Sequence, residues 1–279
     1  MAMTSRFAWL ACGVALAGVL LTGCRGKTAP LPPKVTPEPA VQAAPPLKPL
    51  TADERQRLLV ALASSDAKDR QAAAVALGEH REHSAVRPLI AALTDAEPAV
   101  RCEAARALGL IGGRDPTIPL ADRLRKDTSP EVRAAAAVAV AHIASRLAIE
   151  PLVAGLLDSS PQVRLASAEG LGAMGPRLAT GTYGELGRNK AGNALIAALD
   201  DEDVKIRTAA ATALGAMKES RAVQPLAEMV CDPAGRLAAI ASLGRIGSLN
   251  AAVALRQIAA TDPDPAVRRA ARQAMPAGR

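Results

Sequence analysis

The sequence predicts an all-α solenoid of about seven stacked helix pairs over residues 51–279, on three observations. First, an apolar residue, an arginine and an alanine-rich run recur at Val100-Arg101, Val132-Arg133, Val163-Arg164, Ile206-Arg207 and Val267-Arg268. Gly235-Arg236 is a weaker copy, and Asp69-Arg70 lacks the apolar member. Successive copies lie 31, 32, 31, 43, 29 and 32 residues apart. A fixed period of this size marks units that cannot bury an apolar face alone and stack in order to do so. Second, the apolar positions inside a unit fall at helical spacing. Third, prolines and Leu-Gly pairs punctuate most units at matching places. Such arrays mostly present a surface, so an enzyme is not expected.

Residues 1–23 stand outside the array. Arg6 gives a short positive start. Phe7 to Leu21 form an apolar run too short and too rich in small residues for a good membrane span. Leu21-Thr22-Gly23-Cys24 follows directly and resembles the lipobox of bacterial lipoproteins. That resemblance implies a signal peptide cleaved before Cys24, a diacylglycerol thioether on the sulfur and an acylated amino group. The alternative is an uncleaved signal anchor. Several acyl chains on one residue, at about 0.8 kcal/mol per buried methylene, anchor a protein durably. By analogy with sorting in Gram-negative bacteria, Arg25 rather than Asp after the cysteine favours the outer membrane. Residues 24–50 then carry eight prolines from Pro30 to Pro49. At ~3.1 Å per residue in polyproline II they predict a semi-rigid tether of up to about 80 Å.

Residues 85–113 serve as the representative unit. Pro88 to Leu93 predict a short first helix with leucines four apart, and 95–97 a turn. Pro98 opens a second helix at its first position, where the missing N–H is no loss. Val100, Ala104, Leu108 and Ile111 form its buried stripe, and Gly109, Gly112 and Gly113 are expected to end it. Pro130, Pro161 and Pro265 match Pro98, while Pro119, Pro151 and Pro225 match Pro88. Leu77-Gly78, Leu171-Gly172, Leu214-Gly215 and Leu243-Gly244 match Leu108-Gly109. Glu97, Ser129, Ser160, Asp203 and Asp264 precede second helices as starting residues. Asp69 at one end, and Met275-Pro276 in place of Leu-Gly at the other, read as caps.

Composition narrows the function. The formal net charge of +7 drops by one when Arg6 leaves with the signal, and no Lys/Arg run of the nucleic-acid-arm kind occurs. Phe7 and Trp9 leave too, so Tyr183 is the last aromatic. Stacking platforms for bases or ring cofactors need aromatic faces, which argues against nucleic acid and against a bound cofactor. Cys102 and Cys231 lie four repeats apart, too far to pair with each other, and read as packing residues. No Cys-x-x-Cys, phosphate loop or Gly-x-Ser-x-Gly elbow occurs. His80 and His83 read as solvated turn residues rather than metal ligands.

The pattern Asp-x-x-x-x-Val-Arg followed by Ala-x-x-Ala-Leu-Gly resembles HEAT repeats, in the short bacterial variety first named after phycobilisome lyases. It spans the whole foldable part and implies a right-handed superhelix. Asp95 and Arg101, Asp127 and Arg133, Asp158 and Arg164, Asp201 and Arg207, and Asp262 and Arg268 are each six apart. The resemblance implies a ladder of Asp–Arg hydrogen bonds and ion pairs within and between units; the functional alternative is a row of anion sites. Bidentate pairing of this kind is what arginine does well. Deoxyhypusine hydroxylase, a related HEAT-like enzyme, binds iron through His-Glu pairs, and no such dipeptide occurs here.

Two places depart from the regular pattern. Residues 175–193, where the period stretches, hold five glycines with Tyr183, Arg188 and Lys190. They read either as a surface loop on a binding face or as a flexible spacer. Second helices should line the concave side, with positions one and five beyond the motif arginine facing outward. These positions include Ala134, Val138, Leu165 and Leu237. They read as a partner groove or as inexpensive helix-filling residues. Together the readings give a monomeric, non-catalytic interaction scaffold, lipid-anchored at the bacterial envelope and probing the periplasm from the outer membrane. Its partner would be another envelope protein. A phycobilin lyase-like accessory factor or enzyme acting on an exported partner, and a purely structural spacer, are the alternatives.

Overall fold

The computed structural model describes residues 48–275. The expected signal peptide, Cys24, most of the tether and Pro276 lie outside the described residues. Within them every regular element is helical, and the helices form seven pairs. These are α1 (Ala52–Ala61) with α2 (Ala67–Glu79), α3 (Val86–Ala92) with α4 (Pro98–Ile111), and α5 (Thr117–Lys126) with α6 (Pro130–Ile143). After α7 (Ile149–Gly155) and α8 (Pro161–Ala173) comes an additional short helix, α9 (Gly175–Ala179). Then follow α10 (Gly184–Ala197) with α11 (Val204–Ala216), α12 (Val223–Met229) with α13 (Arg236–Ile246), and α14 (Leu249–Thr261) with α15 (Pro265–Ala274). Second helices pack in succession from α2 through α4, α6, α8, α11 and α13 to α15, and each first helix lies against its own second helix. The array is therefore two layers deep.

The core repeats with the sequence. Leu89, Leu120, Leu152, Leu195, Leu226 and Leu255 from first helices are fully buried. Leu77, Leu108, Leu171, Leu214 and Leu243 meet them from second helices. The motif residues Val100, Val132, Val163, Ile206 and Val267 are buried as well. Each such side chain contributes about 1.5–3 kcal/mol. End helices differ: α1 has no fully buried residue, and α15 buries only Val267 and Ala271, as caps should.

Helix starts follow local chemistry. Thr51 and Glu54 form a reciprocal capping box on α1. Asp66, Ser129, Asp203 and Asp264 cap α2, α6, α11 and α15 through their side chains. Glu97 and Ser160, expected to do the same, make no side-chain cap bond, and Pro98 and Pro161 open those helices without one. Pro88, Pro119, Pro151 and Pro225 occupy the third position of their helices, inside the first turn where no intrahelical partner is lost.

Three expectations are corrected. Gly109 does not end α4. It lies inside the helix, and a Cβ there would sit 2.9 Å from Ala139 Cα on α6. The Leu-Gly pair thus lets successive second helices approach closely, while Gly112, at φ +80°, makes the actual exit. Residues 175–193 are not a loop but α9 and most of α10. Gly175 packs against Ala216, and Gly181 and Gly184 supply left-handed turns at φ +73° and +77°. These glycines serve contact and turning rather than flexibility. Cys102 is a buried free thiol, as expected of a packing residue, whereas Cys231 is exposed just beyond α12.

Candidate partner-binding grooves

The Asp–Arg ladder fixes the second helices in register. Each turn aspartate accepts from the N–H two residues on: Glu97 N to Asp95 at 2.9 Å, Ser129 N to Asp127 at 3.0 Å, Ser160 N to Asp158 at 2.8 Å. The arginine six residues later returns one guanidinium N–H to that aspartate's backbone carbonyl, as Arg101 does to Asp95 at 2.9 Å. Its other two donors cross to the carboxylate of the next repeat. Arg101 reaches Asp127 at 2.9 and 2.7 Å, Arg133 reaches Asp158 at 2.8 and 2.8 Å, and Arg164 reaches Asp201 at 2.8 and 3.1 Å. The within-unit link is thus side chain to backbone, and the ion pair runs between units. With all three guanidinium nitrogens engaged in this way at Arg101, Arg133 and Arg164, the row-of-anion-sites reading loses its donors at these rungs.

The ladder is longer than the six-residue spacing indicates. Arg70 pairs with Asp95 at 2.7 and 2.9 Å although Ser64 stands six residues before it. Arg207 reaches Asp232, and Arg236 makes a single 3.5 Å contact with Asp264. Asp232 precedes Arg236 by four residues, which is why spacing missed it. Asp262 receives the Arg268 fork only on its backbone oxygen, at 2.7 Å. Burial pushes the Asp127 carboxyl up, but the Arg101 hydrogen bonds, the Ser129 N–H and the charges of Arg101 and Arg123 outweigh it and hold it below the ordinary range. Arg70 does the same for Asp95, against a smaller effect of burial.

Locked in this register, the second helices expose a row of small and apolar residues. Ala134 and Val138 share a groove of 570 Å³ between α4 and α6, with Leu110 opposite and Arg106, Glu131 and His142 at its edges. Val138 is 40% exposed. Leu165 lines a second groove of 770 Å³ along α8 and α11, floored by Ala209, Ala213 and Ala216 and edged by Glu169, Lys205 and Arg245. Leu237, 44% exposed on α13, lines neither groove. Four expected contact positions therefore resolve into one pair, one neighbour and one outlier.

The other two expected partner residues lie elsewhere. Tyr183 is buried, and its hydroxyl donates to Ala144 O at 2.5 Å while accepting from Arg177 at 3.3 Å. It fastens the α9–α10 turn to the end of α6. Arg188 donates to Lys218 O at 3.2 Å and lies 3.9 Å from the buried Glu219 carboxylate. Hydrogen bonds from Arg221 hold that carboxyl below its usual range, against burial. Both residues bind the chain to itself. His80 Nδ1 contacts Lys48 O and His83 Nδ1 contacts Arg81 O, each at 3.0 Å. Among the described residues no group of three His, Cys, Asp or Glu side chains is placed to hold a metal ion, and no helix is long and apolar enough to cross a membrane.

The HEAT-repeat sequence profile matches residues 55–137, 117–180, 176–236 and 193–276. The chain belongs to the HEAT-repeat family. No curated protein sequence matches it. Among solved structures, this HEAT-repeat chain is similar to one in the complex of CpcE and CpcF of phycocyanin lyase from Nostoc sp. PCC7120. The identity is 27%, over 87% of this chain and 91% of that one, with a TM-score of 0.50. An engineered protein shares 20% identity over 79% of this chain and 67% of its own, at a TM-score of 0.53. A designed armadillo repeat protein in complex with the peptide (KR)4 shares 23% over 79% and 98%, at a TM-score of 0.50. The last two likenesses concern the fold alone.

Proposed function

We propose that this HEAT array is a non-catalytic scaffold that seats an extended or helical segment of another envelope protein along its second helices. The observation that carries the reading is the pair of adjacent apolar grooves at the outward positions of α6 and α8. Apolar floors with charged edges are what a groove for a peptide or helix requires. The sequence adds the address: the lipobox-like Leu21 to Cys24 and the Pro-rich stretch would hold the array from the outer membrane on a stalk. Fatty-acid labelling lost on Cys24→Ser tests the anchor. Ala134→Glu with Val138→Glu tests the groove: the account expects partner binding to fall by at least tenfold with thermal unfolding unchanged, and unchanged binding defeats it.

A second reading, an accessory factor or enzyme of the lyase type acting on an exported partner, rests on the 27% identity to a chain of the phycocyanin lyase complex. Covalent transfer of a tetrapyrrole to a partner protein in a purified mixture would favour it. Failure of that transfer leaves the scaffold reading in place.

A further inference from the structure

The first-helix layer carries a second site, at the one place where the period breaks. α10 runs 14 residues, against seven for α3, α7 and α12. Leu186, Gly187 and Lys190 of its first two turns wall a cleft of 300 Å³ against α5 and α7. Gly187 permits this close approach, since a Cβ there would lie 2.9 Å from Ile149 Cδ1. The volume is at the lower end of small-molecule sites.

The lining has two chemistries. Ile118, Leu147 and Leu186, from three successive repeats, are 63%, 59% and 65% exposed, an unusual concentration of large apolar side chains. Beside them Thr117, the first residue of α5, is 1% exposed, and its Oγ1 has no hydrogen-bond partner among the described residues. A buried hydroxyl left unpaired is destabilising, so a ligand that accepts from it gains affinity. Arg125, Arg146 and Lys190 surround the cleft; Lys190 is ion-paired with Glu150, leaving the lining net positive. The α5 N-terminus adds partial positive charge on the same side.

We propose that this cleft binds an aliphatic chain ending in a carboxylate. The apolar part would lie on Ile118, Leu147 and Leu186, and the carboxylate would accept from Thr117 Oγ1 and face Arg125 and Arg146. A fatty acid and the C-terminus of a peptide with an apolar last residue both present this chemistry. The test is methyl-labelled NMR of the full chain, titrated with sodium octanoate and with N-acetyl-leucine, octylamine being the control. Saturable shifts of the Ile118, Leu147, Ile149 and Leu186 methyls with a carboxylate, and none with octylamine, support the site. Thr117→Val should weaken binding about tenfold, and Leu186→Glu, at an exposed position, should abolish it without loss of fold. Tighter octanoate points to an acyl chain as the source, tighter N-acetyl-leucine to a peptide terminus. Absence of a saturable shift with either carboxylate, or equal binding of octylamine, overturns the proposal.

Discussion

The rungs at the two ends of the Asp–Arg ladder are built differently. From Arg70 to Arg164 every arginine places two donors on two carboxylate oxygens, and Asp127 is almost fully enclosed. Arg207 puts both donors on one oxygen of Asp232, and Arg236 makes one long contact while its Nε finds no partner among the described residues. The Arg164–Asp201 rung keeps two-oxygen geometry across 37 residues of sequence, against 25 for Arg133–Asp158. The lesson is that contact between second helices is what the sequence preserves. The extra residues of the irregular repeat were absorbed in the first-helix layer, as α9 and a longer α10, leaving the ladder intact.

Removing Arg101 and Arg236 in turn separates the two kinds of rung. Arg101→Ala leaves the buried Asp127 carboxylate only Arg123, 3.7 Å away, and the Ser129 N–H, and is expected to destabilise by about 3 kcal/mol, whereas Arg236→Ala should cost under about 1 kcal/mol. Urea unfolding of the two variants checks this, and equal losses would refute the graded ladder. Next in size, Gly109→Ala should cost about 2 kcal/mol because its methyl would press on Ala139 backbone. Gly172→Ala, where the nearest atom is the Ala213 methyl at 3.3 Å, should cost less than half of that by the same assay.

Acid sharpens the same contrast. Asp95, Asp127, Asp158, Asp201 and Asp232 are all held below the ordinary carboxylate value. A depressed folded-state value means the unfolded chain binds protons first, so these pairs contribute fully above about pH 4 and lose their contribution as pH falls below it. Melting temperature should drop steeply below that point, and less steeply in Asp127→Asn. The smallest effect concerns a helix exit. Ala144 sits at φ +52°, a left-handed conformation that disfavours a side chain, and its carbonyl still holds Tyr183. Ala144→Gly should therefore stabilise by about 0.5–1 kcal/mol in a thermal melt.

The periodic parts were legible because period and packing coincide. Val100-Arg101, its copies and Pro98 fix the second helices, and the outward positions Ala134, Val138 and Leu165 fall where grooves open. What escaped was non-periodic or depended on distance. Five glycines in 175–193 read as a loop, yet their use follows only from the fold: Gly181 and Gly184 turn the chain, Gly175 meets Ala216 of α11 and Gly187 meets Ile149 of α7. Tyr183 looked like a surface aromatic because its partner, Ala144 O, lies 39 residues away. Asp232 fell outside the six-residue rule because its turn is two residues shorter. The exposed Ile118, Leu147 and Leu186 belong to three different repeats, and only stacking joins them.

The most direct test of the scaffold reading is in-cell photo-crosslinking of the full chain, with the reactive group placed in turn at Val138, Leu165 and Leu157. The first two line the second-helix grooves, and Leu157 lies exposed just after α7, in the opposite layer. The account predicts one envelope protein captured from both Val138 and Leu165, absent from Leu157, and lost with Ala134→Glu. Capture from Leu157 alone, or from none of the three with the array folded, would contradict it.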